Sequence, residues 1–262
     1  MTRHEVASAP ATEGKMPVSR RRALATIHLV QPGAYFQCAT YLILGPDGAV
    51  LVDPGSGIAE ANVLRGIQEA GCRPEDIRLV LLTHCHSDHT LGAPRFQNRN
   101  CPLVASPCTA RILGEGGRQV WYEFPECVTP IKVDRVVSDG ETIEAAGLRI
   151  TAVHTPGHTL GCVSYFVETA EGKAVLTGDL LQSNGSPAWA GSEGFSAATT
   201  LASVKKLLRR RPVRAFWGHA IIPGCAMDWL RSSVAREKAG LWQIETAFHP
   251  DAKPPEWMRR RC

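Results

Sequence analysis

Leu79-Val80-Leu81-Leu82-Thr83-His84-Cys85-His86-Ser87-Asp88-His89 is an apolar run that empties into four metal-competent side chains within six positions. The aliphatic stretch predicts a buried strand. His84 and His86 are two apart, so on extended backbone both imidazoles project to the same side. Asp88 and His89 follow where the chain should turn and can address a second point close by. Two imidazoles on one point, with a carboxylate and an imidazole on another, are the start of a two-metal site. The competing reading is a solvated polar turn, for which this spacing would be coincidence.

Working outward, metal-competent residues recur just after other strand-like runs. Asp53 ends Ala49-Val50-Leu51-Val52 and enters Pro54-Gly55-Ser56-Gly57. His158 lies in Thr155-Pro156-Gly157-His158-Thr159-Leu160-Gly161, behind a strand ending at Val153. Asp179 follows Val175-Leu176-Thr177-Gly178, and His219 follows Phe216-Trp217-Gly218. In α/β proteins the carboxyl ends of strands are where loops converge on one crevice, so these places point to one site. Gly157, Gly178 and Gly218 each directly precede a candidate, where the lack of a Cβ allows a tight turn or close approach.

The rest of the chain alternates strand-like and helix-like segments from residue 26. Tyr41–Leu44 and Ala49–Val52 flank the turn Gly45-Pro46-Asp47-Gly48 and read as a hairpin. Residues 59–70 predict a helix stopped by Gly71, with Ile58, Val63, Leu64 and Ile67 on its apolar face. Residues 132–137 and 148–153 read as strands, and 162–167 with 173–177 as a second hairpin around Gly172. A basic amphipathic helix is expected over 199–209, a last strand over 213–217, and a helix over 226–247. Residues 1–25 read as a disordered arm and 250–262 as a basic, proline-interrupted tail. Strand pairs with helices in both halves imply two packed sheets with helices outside, a single four-layer domain over 26–249.

Composition narrows the classes. A hydrophobic fraction of 44% and a charged fraction of 21% are those of a globular protein with a sizeable core. The net charge of +4 is mild, and the Arg20–Arg22, Arg209–Arg211 and Arg259–Arg261 triplets read as solvated helix ends and tails rather than a nucleic-acid surface. The nine cysteines are odd in number and unpaired by any C-x2-C spacing, and no apolar signal or membrane-spanning segment is present. A reduced, cytoplasmic setting with a small-molecule substrate is expected, with neither nucleic acid nor membrane as partner. The oligomeric state stays open, a homodimer being one option.

With these residues in place, His84-x-His86-x-Asp88-His89, Asp53, His158, Asp179 and His219 together resemble the five-motif signature of the metallo-β-lactamase superfamily. The resemblance covers roughly residues 26–225. It implies an αββα sandwich with a binuclear site, usually of two zinc ions, at one edge. Carried over, His84, His86 and His158 would hold one metal, Asp88, His89 and His219 the other, and Asp179 would bridge them. Asp88 and Asp53 would serve catalysis, Asp88 by orienting hydroxide and passing on its proton, Asp53 by orienting the ligands. Such a site makes hydroxide available at neutral pH and polarises a carbonyl, which suits a small ester, thioester or lactone.

Within that resemblance, Thr155–Gly161 is similar to the segment in glyoxalase II-like and lactonase-like members. Quorum-quenching lactonases have Tyr where Gln182 stands, true β-lactamases lack an aspartate at the Asp179 position, and residues 182–196 do not reproduce the glyoxalase II segment. The alternative is a mononuclear iron persulfide dioxygenase, which Thr83–His89 and Pro156–Val163 also resemble, with His84, His158 and Asp179 as its facial triad. A flavodiiron-type oxidoreductase would want Glu in place of His86, and a nuclease a large inserted domain. Among remaining candidates, Cys85 should point away from the site as a buried thiol. His154 reads as a loop or substrate-contact residue, since Pro156-Gly157 forbid the helix that would pair it with His158. His4, His28 and His249 read as surface or structural. The Gly/Ser-rich stretch 182–196, with Trp189 and Phe195, is either a substrate lid or a plain connection; Trp121, Tyr122 and Phe124 line a pocket or fill core.

Overall fold

The computed structural model describes residues 23–34 and 36–246. Period-two alternation in the hydrophobic runs produces two sheets. The first has the order β1 (Thr26–Gln31), β2 (Thr40–Gly45), β3 (Gly48–Val52), β4 (Ile77–Leu81), β5 (Leu103–Ala105) and β6 (Arg135–Val136). The second runs β11 (Arg214–Trp217), β10 (Gly172–Gly178), β9 (Val163–Thr169), β8 (Leu148–His154) and β7 (Thr142–Ala145). Both expected hairpins form: Tyr41 pairs Val52 and Gly45 pairs Gly48, while Ala174 pairs Val167. Parallel pairing joins β3 to β4, β4 to β5 and β10 to β11.

Each strand divides its side chains between two cores. Ile43, Val50, Val52 and Leu81 face the other sheet and pack with Ile150, Ala152, Tyr165 and Leu176. Leu42, Leu51, Val80 and Leu82 face outward, under Val63 and Ile67 of α1 (Glu60–Glu69), Phe96 of α3 (Ala93–Gln97) and Ile112 and Leu113 of α4 (Pro107–Glu115). Val153, Val175 and Ala215 do the same beneath Val204 and Leu207 of α5 (Ala197–Arg210) and Trp229 and Leu230 of α6 (Ala226–Lys238). The result is the αββα sandwich the sequence predicts. Burying one of these Leu, Ile or Val side chains is worth about 1.5–3 kcal/mol, so three such cores dominate the fold's stability.

Four expectations are corrected. The strand over 132–137 shrinks to Arg135–Val136, both exposed at the sheet edge: the Asp134 N–H still donates to the Leu103 carbonyl at 3.0 Å, but its carboxylate, rather than a backbone carbonyl, accepts from the Leu103 N–H at 2.8 Å. The helix over 226–247 stops at Lys238, two residues before Gly240 takes a φ of +69°. The chain joins the sandwich before residue 26: Ala25 is buried and its N–H donates to the Glu168 carbonyl at 2.8 Å. Residues 1–22 and the 250–262 tail lie outside the described residues. Finally, α4 was not anticipated, although Ser106 caps it by accepting from the Thr109 N–H at 3.2 Å. No helix among the described residues is long and apolar enough to cross a membrane. Cys127 is disulfide-bonded.

Candidate metal centre

The parallel run of β3 and β4 brings Asp53 beside the end of β4, and the sandwich brings β8, β10 and β11 to the same edge. Asp53 itself has φ +51°, a left-handed conformation that Asp tolerates better than most residues. This turn aims its carboxylate across the sheet at Thr83, whose N–H donates to Oδ1 at 2.8 Å. His84 lies in a bend past the end of β4 rather than in the extended strand expected, and His86, at φ −65° and ψ 150°, is the extended residue before the short helix α2 (Ser87–Thr90). The switch from strand to helix redirects Asp88 and His89, as the two-point reading requires.

The loop carrying His158 is tied down from outside the site. Ser106 and Thr109 at the start of α4 donate to the Gly161 carbonyl at 2.7 and 3.0 Å, and Ser203 of α5 donates to that of Pro156 at 2.7 Å. His158 Nδ1 donates to the Trp189 carbonyl at 2.9 Å, leaving Nε2 to face His86 Nδ1 at 2.9 Å. Asp179 follows Gly178, whose φ of +53° ends β10 in a left-handed turn. Asp179 Oδ1 lies 3.6 Å from His89 Nε2, and Oδ2 lies 3.2 Å from His219 Nε2. Asp88 Oδ2 is 3.5 Å from the Nε2 atoms of both His89 and His219.

All seven residues expected as ligands therefore meet at one edge. Their donor atoms fall into three sets, each within 4.8 Å: His84, His86 and His158; His84, His89 and Asp179; and Asp88, His89 and His219. The first and third match the two groups drawn from the resemblance. Asp179 shares a set with both His84 and His89 and contacts His219, the place a bridging carboxylate would take.

The electrostatics divide the cluster in two. Burial, helped by the neighbouring imidazoles, holds His84 and His86 well below the usual histidine range, so both are neutral with lone pairs at neutral pH. Burial also lowers His158, partly opposed by Asp179. His89 is subject to the same burial, but Asp88, with Asp179 and Asp53 behind it, holds it well above its ordinary value. Burial likewise lowers His219, yet Asp179 and Asp88 outweigh it and raise the group. Burial would protonate Asp179, but His219 and His89 keep it ionised, well below the carboxylate range. Imidazoles of lowered pKa at His84, His86 and His158, with the ionised Asp179 beside them, are donors suited to a divalent cation.

A second observation tests the fit. His84 Nε2, His86 Nε2, His89 Nε2 and Asp179 Oδ1 are buried without a hydrogen-bond partner. Leaving a buried polar atom unsatisfied costs about 1–3 kcal/mol each. His84, His89 and Asp179, which hold three of these atoms, form one donor set, which fits a cation-binding cluster and would be expensive as a merely structural one.

Other candidates sort clearly. Cys85 is buried and donates weakly to the Gln119 carbonyl at 3.6 Å, away from the cluster, and burial pushes its thiol up. His154 is not in a loop: it ends β8 and its Nε2 bonds the Val137 carbonyl at 3.1 Å. Trp121 and Phe124 form a small core of their own. Tyr122 and Trp189 instead stand beside His86, with ring centroids 5.9 and 5.8 Å from its imidazole and 5.1 Å from each other. The stretch 182–196 thus returns to the site as one wall. Thr83 was passed over in the sequence; its only signal there is a hydroxyl at the end of a buried strand, immediately before His84.

The sequence profile of the metallo-beta-lactamase superfamily matches residues 33–219. An atrochrysone carboxyl ACP thioesterase of Aspergillus fumigatus is 32% identical over 169 residues, which cover 59% of this chain and 35% of that protein. A probable metallo-hydrolase of Methanocaldococcus jannaschii is 29% identical over 160 residues, covering 60% of this chain and 73% of that protein. Among solved structures, the FEZ-1 metallo-beta-lactamase of Legionella gormanii superposes with a TM-score of 0.66 at 21% identity, over 84% of this chain and 94% of that one, a likeness of fold. Because the profile match spans every strand-end residue from Asp53 to His219, the chain belongs to the metallo-beta-lactamase superfamily.

Proposed function

We propose that the chain is a binuclear zinc hydrolase of a small ester, thioester or lactone, with a thioester the first to try. The observation that carries this reading is the convergence of unpartnered buried nitrogens and a carboxylate oxygen in overlapping donor sets. His84, His86 and His158 would hold one ion and Asp88, His89 and His219 the other, with Asp179 between. When bound, the ions supply Lewis-acid polarisation of a carbonyl and a nucleophile available at neutral pH. The thioesterase relative supports the choice of thioester.

The chain's own groups have definite tasks. Asp88 is the ligand candidate whose carboxylate is partly open, 21% exposed at the side chain, and it stands 3.5 Å from two imidazoles. It can take a proton from water and return it to the departing thiolate or alkoxide. Asp53 touches no reacting atom; it orients His89, with Nδ1 donating to its Oδ2 at 2.8 Å. Tyr122 and Trp189 offer an apolar wall for the acyl group.

The iron alternative would need His84, His158 and Asp179 to converge as a triad. Among the described residues that trio is not one of the sets whose donor atoms lie within 4.8 Å, whereas His84 and His158 do group with His86. This favours the binuclear reading.

The test is a panel of thioesters, esters, lactones and phosphodiesters, run before and after chelation. The expected result is thioester or lactone hydrolysis that a chelator abolishes and added zinc restores. Hydrolysis indifferent to chelation, or oxygen uptake with a persulfide, would overturn the proposal. Trp189→Ala is expected to raise KM for bulky acyl substrates by roughly 2–10-fold, the worth of a lost aromatic contact, with little effect on acetyl substrates. Equal KM changes for both would mean that Trp189 does not contact the acyl group.

A further inference from the structure

Thr83 is 1% exposed and lies where four elements meet. Its carbonyl accepts from the Val163 N–H at 2.8 Å, linking the first sheet to the second at the metal edge. A Cβ added at Gly178, next to Asp179, would overlap the Thr83 hydroxyl. The hydroxyl is thus hemmed in, and its partners are fixed. It stands 2.6 Å from Asp53 Oδ2 and 3.0 Å from His84 Nδ1.

A carboxylate only accepts, so the single hydroxyl proton is committed to Asp53. The contact with His84 then requires Nδ1–H to donate to the threonine oxygen, which leaves the lone pair of His84 on Nε2. Across the same carboxylate, His89 Nδ1 lies 2.8 Å from Oδ2 and must also donate, leaving its own lone pair on Nε2. The Nε2 atoms of both rings are among those buried without a partner. One carboxylate therefore prepares an imidazole in each metal group, His89 by direct contact and His84 through a hydroxyl.

We propose that Thr83 is a positioning residue that relays Asp53 to His84 and so readies the His84–His86–His158 group to bind its ion. The proposal rests on the reading of the cluster as a metal site. It separates the two groups: loss of the hydroxyl weakens the group that depends on His84, and loss of the Asp53 carboxylate weakens both.

Two measurements test this. In competitive zinc titrations against a chelator, Thr83→Val is expected to weaken one of two binding steps by about 10–100-fold, the usual effect of removing an outer hydrogen-bond partner. Thr83→Ser, which keeps the hydroxyl, should bind both ions within a few-fold of the parent protein. Unchanged binding by Thr83→Val, equal weakening of both steps, or Thr83→Ser as impaired as Thr83→Val would overturn the relay. The second measurement needs no variant: imidazole 15N spectra of the parent protein, zinc-free and zinc-loaded, report which His84 nitrogen carries the proton. The Nδ1–H tautomer is expected, and Nε2–H in the zinc-free protein would refute the proposal even if Thr83→Val failed to fold. If instead no form bound zinc, the hydrolase reading would fail while the tautomer still decided the relay.

Discussion

Asp179→Ala is expected to abolish hydrolysis and to lower bound metal, with the fold retained. The carboxylate is buried, its Oδ1 has no hydrogen-bond partner, and its oxygens lie 3.6 Å from His89 Nε2 and 3.2 Å from His219 Nε2. Removing it takes away the carboxylate that contacts both His89 and His219 and a donor from the set it forms with His84 and His89. The loss in kcat/KM should therefore exceed the about 10–100-fold typical of removing an outer partner of a ligand. Nothing in the sandwich core leans on this side chain, so the far-ultraviolet circular dichroism should be unchanged. His84→Ala should act alike. Kinetics paired with elemental analysis decide the matter, and full activity in either variant would sink the ligand assignment.

The second large effect is expected at a residue with no side chain. A Cβ at Gly218 would overlap Asp179 Oδ1 and come within 2.8 Å of His89 Cε1. Both are side-chain atoms at the metal edge rather than backbone, so Gly218→Ala should displace Asp179 and His89 and leave the sheets in place. A misplacement of about 1 Å can cost on the order of 100-fold in rate. We expect at least that loss in kcat, with a melting temperature close to that of the parent. A variant with parental kcat would show that the carboxylate can shift without cost and is not held in a bridging position.

Why some of this was legible in the sequence and some was not is a matter of range. The β2–β3 hairpin could be read because Gly45-Pro46-Asp47-Gly48 encodes its turn locally. The seven candidate ligands could be read because they fall within a few residues past an apolar run, where the chain must leave the sheet. The helix expected over 226–247 overran because its pattern continues past Gly240, whereas backbone conformation stops it. The edge strand around Arg135 was overdrawn because nothing local reveals that Asp134 turns to cap Leu103. Trp189 reaches His86 through long-range ties: its carbonyl accepts from His158, Ser192 donates to the His158 carbonyl, and the Ala190 N–H donates to Glu245. Thr83 was silent for the same reason, since its importance appears only when the β3–β4 pairing sets Asp53 against it.

Elemental analysis of the purified protein, without added metal and then after zinc saturation and gel filtration, tests the central claim most directly. The account predicts two zinc ions per chain after saturation, falling to at most one in Asp179→Ala. A chain that retains no zinc, or that carries a single iron and consumes oxygen, would contradict it.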